Sequence, residues 1–350
     1  MAYFKDKFSL IVDSDRNIDL FRLSKGNIIR YHFARIEERV DEKTIVKGIL
    51  EEFDVSIDGN DRIFLVYQDK SFHLILTLID KDEGMESFKL TKEPIPEIHY
   101  LNLFLIEDNP HIVYALPMQP GGKEYRIYHH FYQDEWITNL VDHIEVKEFL
   151  NPIGLFNGDE RTFIAYYDKE EGEEIYLREL DLEEGKWKGK IKLTDDNTDK
   201  LFLDILLIES KLHLSYCQYE DGNLQVKYKR FNYENDSVEK EVEETLSNPE
   251  NPQDPVLLYY ESKLWLGWIE HDNVLSRFSE DFGKSWSPIY LWNESKGKSI
   301  VRYKYLELGA KDKILNYSFG KIEPEIEFIG FGPLVNTTEV PLKKKAYPIF

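Results

Sequence analysis

A repeat of about 50 residues is the feature that most constrains how this chain can fold. Short apolar runs end in an aromatic residue at intervals of 47 to 52 residues, and one further period back reaches Phe21. Repeats of this length that consist of strands and turns are typical of β-propellers, in which each repeat is a four-stranded blade. The aromatic endpoints are Tyr67, Tyr114, Tyr166, Tyr216, Trp268 and Tyr317.

Residues at matching positions of the repeat have matching character. Two residues before each aromatic endpoint lies a Leu or Ile, and three residues before it lies a large residue. Alternate residues of a strand face opposite sides, so an apolar character on both sides predicts a strand that is covered on both faces. A middle strand of a propeller blade has this environment. The large residues are Phe64, His111, Phe163, His213, Trp265 and Ile314.

The repeat therefore predicts an all-β fold, a seven-bladed β-propeller of four-stranded antiparallel blades. Six or eight blades are the alternatives. The first repeat fits the pattern least well, since Asp19 occupies an apolar position. We expect one domain over residues 1–350. The segment 239–246 is predicted as an outer strand or a short helix, and the tail Leu342–Phe350 either closes the ring or lies free. The approximate blades are 8–48, 49–94, 95–144, 145–197, 198–250, 251–294 and 295–340.

Charge and composition exclude several classes of partner. The net charge is −22, which disfavours nucleic acids and anionic membranes. The N-terminal residues do not resemble a secretory signal, and no apolar run is long enough to span a membrane. Cys217 is the only cysteine, which fits a reducing compartment. We expect a cytoplasmic monomer without a cofactor or metal, whose ligand is a protein or a carbohydrate.

One short motif stands out near the end of the sixth repeat. Ser279, Asp281, Gly283 and Trp286 form the pattern S-x-D-x-G-x-x-W. The glycine permits a positive φ in a tight turn, the carboxylate can accept turn amides, and the tryptophan can fold back onto the blade. The motif resembles the Asp-box of the sialidase-like (BNR-repeat) propellers. Because it lies between a third and a fourth strand, opposite the usual ligand face, we expect a structural role.

The resemblance implies a glycoside hydrolase only if catalytic residues accompany the motif. Sialidases bind the substrate carboxylate with three arginines, the first of which lies in a Phe/Tyr-Arg-Ile-Pro sequence. Here Phe21 and Arg22 are followed by Leu23 and Ser24, without the proline. Arg22 is therefore retained as a candidate ligand residue only, and the arginine triad is not transferred to this chain.

Other chemically active residues have structural explanations. His129 and His130 are adjacent in a predicted strand and face opposite sides, so they cannot bind one metal together. His111 and His213 occupy a position that holds Phe or Trp in other repeats, which indicates packing. Cys217 follows a middle strand and is expected to be a buried thiol.

The loops between the second and third strands should share one face with the connections between blades. Several of these loops are acidic, notably residues 169–174 and 219–222, and Tyr167, Tyr219 and His271 would add aromatic rings. Acidic, aromatic surfaces suit cationic segments, and sugars stack on aromatic faces. We therefore expect a binding site at this channel mouth.

The preferred interpretation is a non-catalytic propeller that binds a basic protein segment or a sugar, or that serves as a scaffold. A sialidase-like glycoside hydrolase, or a relative that only binds glycans, is the alternative. A lyase or hydrolase whose site is not recognisable in the sequence is a third possibility, because propellers host many activities. Several arginines converging on the channel would favour the sialidase-like alternative.

Overall fold

The fold is described from a computed structural model, which covers residues 7–35, 40–158, 161–169, 173–234, 236–309, 313–323 and 325–343. Within these residues the chain forms 30 β-strands and two 3-10 helices, Asn293–Ser295 and Leu334–Asn336. Three of the six sheets are four-stranded and antiparallel, and there is no α-helix among the described residues, so the all-β prediction is confirmed. The segment 239–246 lies mostly within an outer strand and not in a helix.

We group the strands into seven consecutive units for description. The first three units each contain four strands in simple up-and-down order. The first unit is β1 (Lys7–Val12), β2 (Ile18–Ser24), β3 (Asn27–Phe33) and β4 (Val40–Lys47); the second is β5 (Ile49–Ile57), β6 (Ile63–Asp69), β7 (Leu74–Ile79) and β8 (Met85–Lys89); the third is β9 (His99–Ile106), β10 (Asn109–Pro117), β11 (Glu124–Gln133) and β12 (Glu135–Glu145).

The fourth unit has an outer strand that is split in two, and the fifth has the regular four strands. The fourth unit is β13 (Ile153–Asn157), β14 (Thr162–Asp168), β15 (Glu174–Asp181), β16 (Lys186–Trp187) and β17 (Ile191–Lys192); the fifth is β18 (Lys200–Ile208), β19 (Lys211–Glu220), β20 (Asn223–Glu234) and β21 (Ser237–Thr245).

The last two units are interleaved. A short strand of the seventh unit, β27, pairs with the first strand of the sixth, and the final strand β30 pairs with the outer strand of the sixth. The sixth unit is β22 (Gln253–Tyr260), β23 (Lys263–Glu270), β24 (Asn273–Ser279) and β25 (Ile289–Trp292); the seventh is β26 (Ile300–Glu307), β27 (Lys313–Leu315), β28 (Tyr317–Lys321) and β29 (Glu327–Ile329), followed by β30 (Thr337–Val340).

The first strands of the units surround a common axis. Each contacts the first strand of the next unit in chain order, from β1 through β5, β9, β13 and β18 to β22. The seventh unit joins the first through parallel pairing of β26 with β1, which merges the two units into one seven-stranded sheet. The described residues consequently form six sheets, and the sheet count alone does not give the number of blades. We call the space inside the first strands the channel.

The core lies between neighbouring units. The middle strands are buried on both faces, as the repeat predicts; β14, for example, is buried along its whole length. Asp19, the exception in the first repeat, is 3% exposed and accepts hydrogen bonds from Arg30 Nε and Nη2 at 2.7 and 2.9 Å. The arginine supplies the partner that a buried carboxylate requires.

Candidate functional site

The first strands begin on one face of the molecule, and their starting residues lie at the entrance of the channel. This face also carries the turns between second and third strands, because neighbouring strands within a unit are antiparallel. We call this entrance the mouth. One residue per unit occupies it, about one repeat apart, namely Lys7, Glu52, Tyr100, Asn151, Phe202, Asp254 and Arg302.

The backbone is strained at four consecutive mouth positions. Tyr100, Asn151, Phe202 and Asp254 have φ values of 57°, 45°, 59° and 48°. The left-handed region costs a non-glycine residue about 1–2 kcal/mol, and such strain concentrates at binding sites and turns. In β18 and β22 the strained residue lies within a break of strand register, which re-aims its side chain.

Arg302 is the centre of a polar cluster in the mouth. Its Nη1 lies 3.6 Å from Asp254 Oδ1, and the same carboxylate oxygen accepts a hydrogen bond from Asn151 Nδ2 at 2.8 Å. The guanidinium carbon lies 3.6 Å from the ring centroid of Tyr317, which is a stacking contact. Its Nε and Nη2 are buried and have no hydrogen-bond partner among the described residues. The guanidinium therefore has one edge available to an acceptor.

The cluster is enclosed by protein and yet connected to solvent. The side chains of Arg302 and Asp254 remain 11% and 25% exposed. Burial nevertheless raises the pKa of Asp254, and the nearby Arg302 charge opposes this shift only in part. Burial also raises the pKa of Tyr100 well above its usual value and that of Tyr317 to about 12. These groups are accordingly shielded from bulk solvent, and we call the space beside them the recess.

The recess has a floor made of side chains that cross the channel. Asn316 Nδ2 donates to the backbone oxygens of Leu155 and Ile205 at 3.2 and 3.3 Å, although it belongs to the seventh unit. Lys304 Nζ, also from the seventh unit, donates to the Leu103 oxygen at 2.8 Å. Two side chains of the seventh unit therefore cross the channel below the mouth.

Two buried aspartates connect successive first strands. Asp54 Oδ2 accepts the Leu103 amide at 2.6 Å, and Asp204 Oδ2 accepts the Leu257 amide at 2.8 Å. Both lie two residues after a mouth position, so they are equivalent members of the repeat. Burial raises the pKa of Asp204 to about 6, with Arg302 and the Leu257 amide acting in the opposite direction. These hydrogen bonds give both carboxylates a structural role, because they link successive first strands.

Most acids of the channel have a basic partner. Glu52 pairs with Lys7, Asp54 with Lys304, and Asp254 lies beside Arg302. The channel is therefore much closer to neutral than the whole molecule, whose charge is −22. Long-range attraction to cations comes from the outer surface and not from the recess.

Tyr219 and His271 lie at or beside the turns between the second and third strands of the fifth and sixth units. Tyr219, near the end of β19, is 44% exposed. His271, in the turn after β23, has an exposed ring whose Nε2 lies 3.1 Å from Glu250 Oε2. Among the described residues, neither side chain forms a hydrogen bond or an ion pair with the Arg302 cluster, so both remain candidates at the rim of the mouth.

Tyr167 and Arg22 lie elsewhere than expected. Tyr167 is a strand residue of β14, is fully buried, and has a hydroxyl without a partner among the described residues. It lies behind the mouth, near Tyr100 and Cys217, whose charges add to the burial that raises its pKa. Arg22 is 8% exposed and its Nη2 donates to Glu323 at 3.3 Å. Arg302 is the only arginine among the described mouth positions, so the structure does not bring together an arginine cluster there.

The Ser279–Trp286 hairpin connects the third and fourth strands of the sixth unit. Asp281 Oδ1 accepts the amides of Lys284 and Ser285 at 3.0 and 2.8 Å, and Ser279 Oγ accepts the Gly283 amide at 2.7 Å. Despite some burial, hydrogen bonds from the Ser285 and Ser279 hydroxyls and from the Ser285 and Lys284 amides lower the pKa of Asp281 to about 2. The hairpin satisfies its own polar groups and lies away from the mouth.

This hairpin also packs against the preceding unit. The Trp286 ring lies 4.9 Å from the Tyr228 ring in an edge-on arrangement. The fourth unit repeats the design, because the Trp187 indole donates to His129 Nδ1 at 3.2 Å. In both hairpins a glycine with positive φ lies directly against an aromatic ring of the preceding unit. The hairpins therefore join neighbouring units.

Replacing Gly283 with alanine is expected to lower the free energy of unfolding by roughly 2–5 kcal/mol. Its φ is +80°, and an added Cβ would lie 1.9 Å from the Tyr228 hydroxyl, which is too close for any contact. Gly222→Ala is the matched control, since its φ is +86° but nothing lies within 4 Å of the added atom. The control should lose only about 1–2 kcal/mol in chemical denaturation. Equal losses in the two variants would contradict packing as the role of Gly283.

Within the described residues, no group of three or more metal-ligating side chains is close enough to hold an ion. Nor does that part of the chain contain a helix that is long and apolar enough to cross a membrane. Cys217 is buried with Sγ 3.3 Å from the Pro252 oxygen, and burial raises its pKa. This environment opposes formation of a reactive thiolate.

Comparisons with known proteins identify no family. No family model matches the chain, and no curated protein matches its sequence. Among solved structures, the SapL1 lectin in complex with α-methyl fucoside has a TM-score of 0.47 and 10% identity, covering 81% of this chain and 95% of its own.

Two further structures are similarly distant. A mutant of AofleA from Arthrobotrys oligospora has a TM-score of 0.46 at 10% identity and covers 89% of both chains. A GH43 endo-arabinanase from Bacillus licheniformis has a TM-score of 0.39 at 11% identity, covering 65% of this chain and 91% of its own. These neighbours are β-propeller-type folds. Similarity at this level carries no information about the ligand.

Proposed function

We propose that this chain is a seven-bladed β-propeller, a single domain over residues 1–350, that binds a small polyhydroxylated ligand of carbohydrate type in its mouth without catalysis. The observation that carries the proposal is the Arg302 guanidinium, buried beside Asp254 and stacked on Tyr317, with two unpaired donors. Unpaired buried donors are costly, and a ligand oxygen would satisfy them.

The blade count is supported by the order of the first strands. Six of them contact one another in chain order, and the seventh, β26, pairs with β1. The parallel pairing merges two blades into one sheet without removing either. The seven units also agree with the seven repeats of the sequence. Within the described residues, no linker divides the chain into two separately packed domains.

The chemistry of the recess favours a small ligand over a basic protein segment. A basic segment would meet Arg302, Lys7 and Lys304, whose charges already balance the acids of the channel. A sugar offers hydroxyl donors to Asp254, oxygens to Arg302 and a ring face to Tyr100. The floor below the mouth leaves space for a short ligand end and not for a threaded chain.

A panel of mono- and disaccharides titrated into the protein tests this function. We expect Arg302→Gln to weaken binding of any hit by more than about tenfold, since hydrogen bonds to a charged group contribute about 1.5–3 kcal/mol. Arg62→Gln is the control, because Arg62 is exposed and pairs with Asp58 away from the mouth. Binding that Arg302→Gln leaves unchanged would exclude the mouth as the site.

Glycoside hydrolysis is the second candidate, and the pKa of about 6 at Asp204 is the observation that favours it. A carboxyl group that is protonated near neutral pH can act as a general acid. Its hydrogen bond to Leu257, repeated at Asp54, explains its burial without catalysis. Turnover of fluorogenic glycosides, including sialosides, that is lost in Asp204→Asn would establish the hydrolase.

A further inference from the structure

We propose that the ligand of the mouth carries an oxyanion group, a carboxylate or a phosphate, that binds edge-on to Nε and Nη2 of Arg302. This inference deepens the proposed function and rests on the mouth being a binding site. It concerns the chemical group that the mouth recognises, which distinguishes acidic ligands from neutral ones of the same size.

The geometry of the guanidinium carries the argument. Of its three nitrogens, Nη1 is the one that lies near Asp254, 3.6 Å from Oδ1. The two nitrogens without partners, Nε and Nη2, lie on one common edge. Two parallel N–H groups on one edge match the two oxygens of a carboxylate or a phosphate, which is why arginine recognises these groups in a bidentate manner.

The surroundings hold this edge in place. The ring of Tyr317 lies 3.6 Å from the guanidinium carbon, which fixes the plane of the group. Asp254 holds the opposite side, and its own position is set by the hydrogen bond from Asn151 at 2.8 Å. Because the site is pre-organised, binding an oxyanion requires little loss of side-chain freedom.

Acidic neighbours make this binding dependent on pH. The charged and titratable groups that face Arg302 are Asp254, Asp204, Tyr100 and Tyr317. A bound anion adds negative charge beside the two aspartates and favours their protonated forms. The affinity for the anion is therefore expected to increase as the pH falls, with proton uptake on binding.

Thermal unfolding with simple oxyanions tests the proposal on the full chain. The probes are sodium acetate and sodium phosphate, compared with sodium chloride at equal ionic strength and pH 6. We expect at least one oxyanion to raise the Tm above the chloride value, because a ligand that binds only the folded state stabilises it. The probe that acts identifies the group as a carboxylate or a phosphate.

Two variants with opposite effects locate the binding. Arg302→Met should abolish the oxyanion-specific increase. Asp254→Asn removes the competing carboxylate and should tighten binding of the active probe by about tenfold. Arg62→Met should retain the wild-type response. The Asp254→Asn result stands on its own if Arg302→Met does not fold.

Two outcomes of the unfolding experiment would overturn the inference. One is the absence of any oxyanion effect in both the wild type and Asp254→Asn. The other is an effect that Arg302→Met retains, which would place the anion elsewhere. The proposed function is tested separately, because it depends on saccharide binding that is sensitive to Arg302. A neutral sugar that binds as well as its uronic acid would refute the recognition of an oxyanion and leave the proposed function intact.

Discussion

Replacing Lys200 with methionine is expected to lower the free energy of unfolding by about 3–5 kcal/mol, the cost of leaving a buried charge without its partner. The Lys200 side chain is fully buried, and its Nζ donates to Asp196 Oδ1 at 2.7 Å and to Glu174 Oε2 at 3.2 Å. It also donates to the backbone oxygens of Glu173 and Thr198 at 2.8 and 2.7 Å. One ammonium thus joins the fourth unit to the start of the fifth.

The measurement is chemical denaturation of the purified protein. Lys240→Met is the matched control, because Lys240 is half exposed and pairs with Glu243 on an outer strand, where ion pairs contribute roughly 0–1 kcal/mol. The double variant Lys200→Met/Glu174→Gln should be less destabilised than the two single changes together, since it removes the unpaired carboxylate. Similar losses at Lys200 and Lys240 would refute a special role for the buried ammonium.

Acidification below pH 6.5 is expected to destabilise the protein through four buried histidines. Burial lowers the pKa of His111 and His130 to about 4, that of His213 to about 3, and that of His129 well below its usual value. The unfolded chain, with histidine pKa values near 6.5, binds protons that the folded protein cannot. The stabilising contribution is complete above pH 6.5 and is lost as the pH falls towards 4.

The expected loss is large because the four groups act in the same direction. At pH 5 the shifts at His111, His130 and His213 each correspond to a loss of roughly 2 kcal/mol in the free energy of unfolding, and His129 acts in the same direction. Asp204 acts in the opposite direction, because its pKa is raised to about 6; its contribution is complete below about pH 4 and is lost as the pH rises through 6. Burial also raises the pKa of Asp254, Glu173 and Glu270, which act like Asp204. The lowered pKa of Asp281 acts in the same direction as the four histidines, and we expect acid to destabilise the protein on balance.

His213→Phe tests the assignment at a single position. Phenylalanine occupies the same repeat position in other units, and His213 Nε2 has no partner among the described residues. The variant loses the hydrogen bond to Tyr228 at every pH but should show a shallower dependence of unfolding free energy on pH. Trp265→Phe, at the equivalent position, alters packing without removing a titrating group. An unchanged pH dependence in His213→Phe would exclude His213 as a contributor.

The repeat could be recognised in the sequence because every unit must meet the same packing requirements. Middle strands covered on both faces must be apolar on both faces, and tight hairpins need glycine and side-chain acceptors at fixed positions. Phe64, Phe163 and Trp265 show the first requirement, and the hairpin at Gly283 shows the second. The all-β architecture and the position of that hairpin were therefore accessible, whereas the seven-blade count stays a prediction.

The signal for the mouth was present in the sequence but weak. Asp54, Asp204, Asp254 and Arg302 are polar residues near the starts of first strands. Such residues are indistinguishable from strand-end polar residues when the sequence is considered one repeat at a time. Tyr167 was assigned to a loop because the strand β14 extends further than its aromatic endpoint at Tyr166 suggested.

The sequence by itself determined the units, since strand burial and turn geometry depend on residues within one repeat. Only the tertiary structure decided the site, since the mouth takes one residue from each unit. Asn151, Asp254 and Arg302 are 103 and 48 residues apart and meet only because the first strands surround one axis. Which residue pairs with which across that axis depends on strained backbone and broken register, which local sequence patterns do not specify.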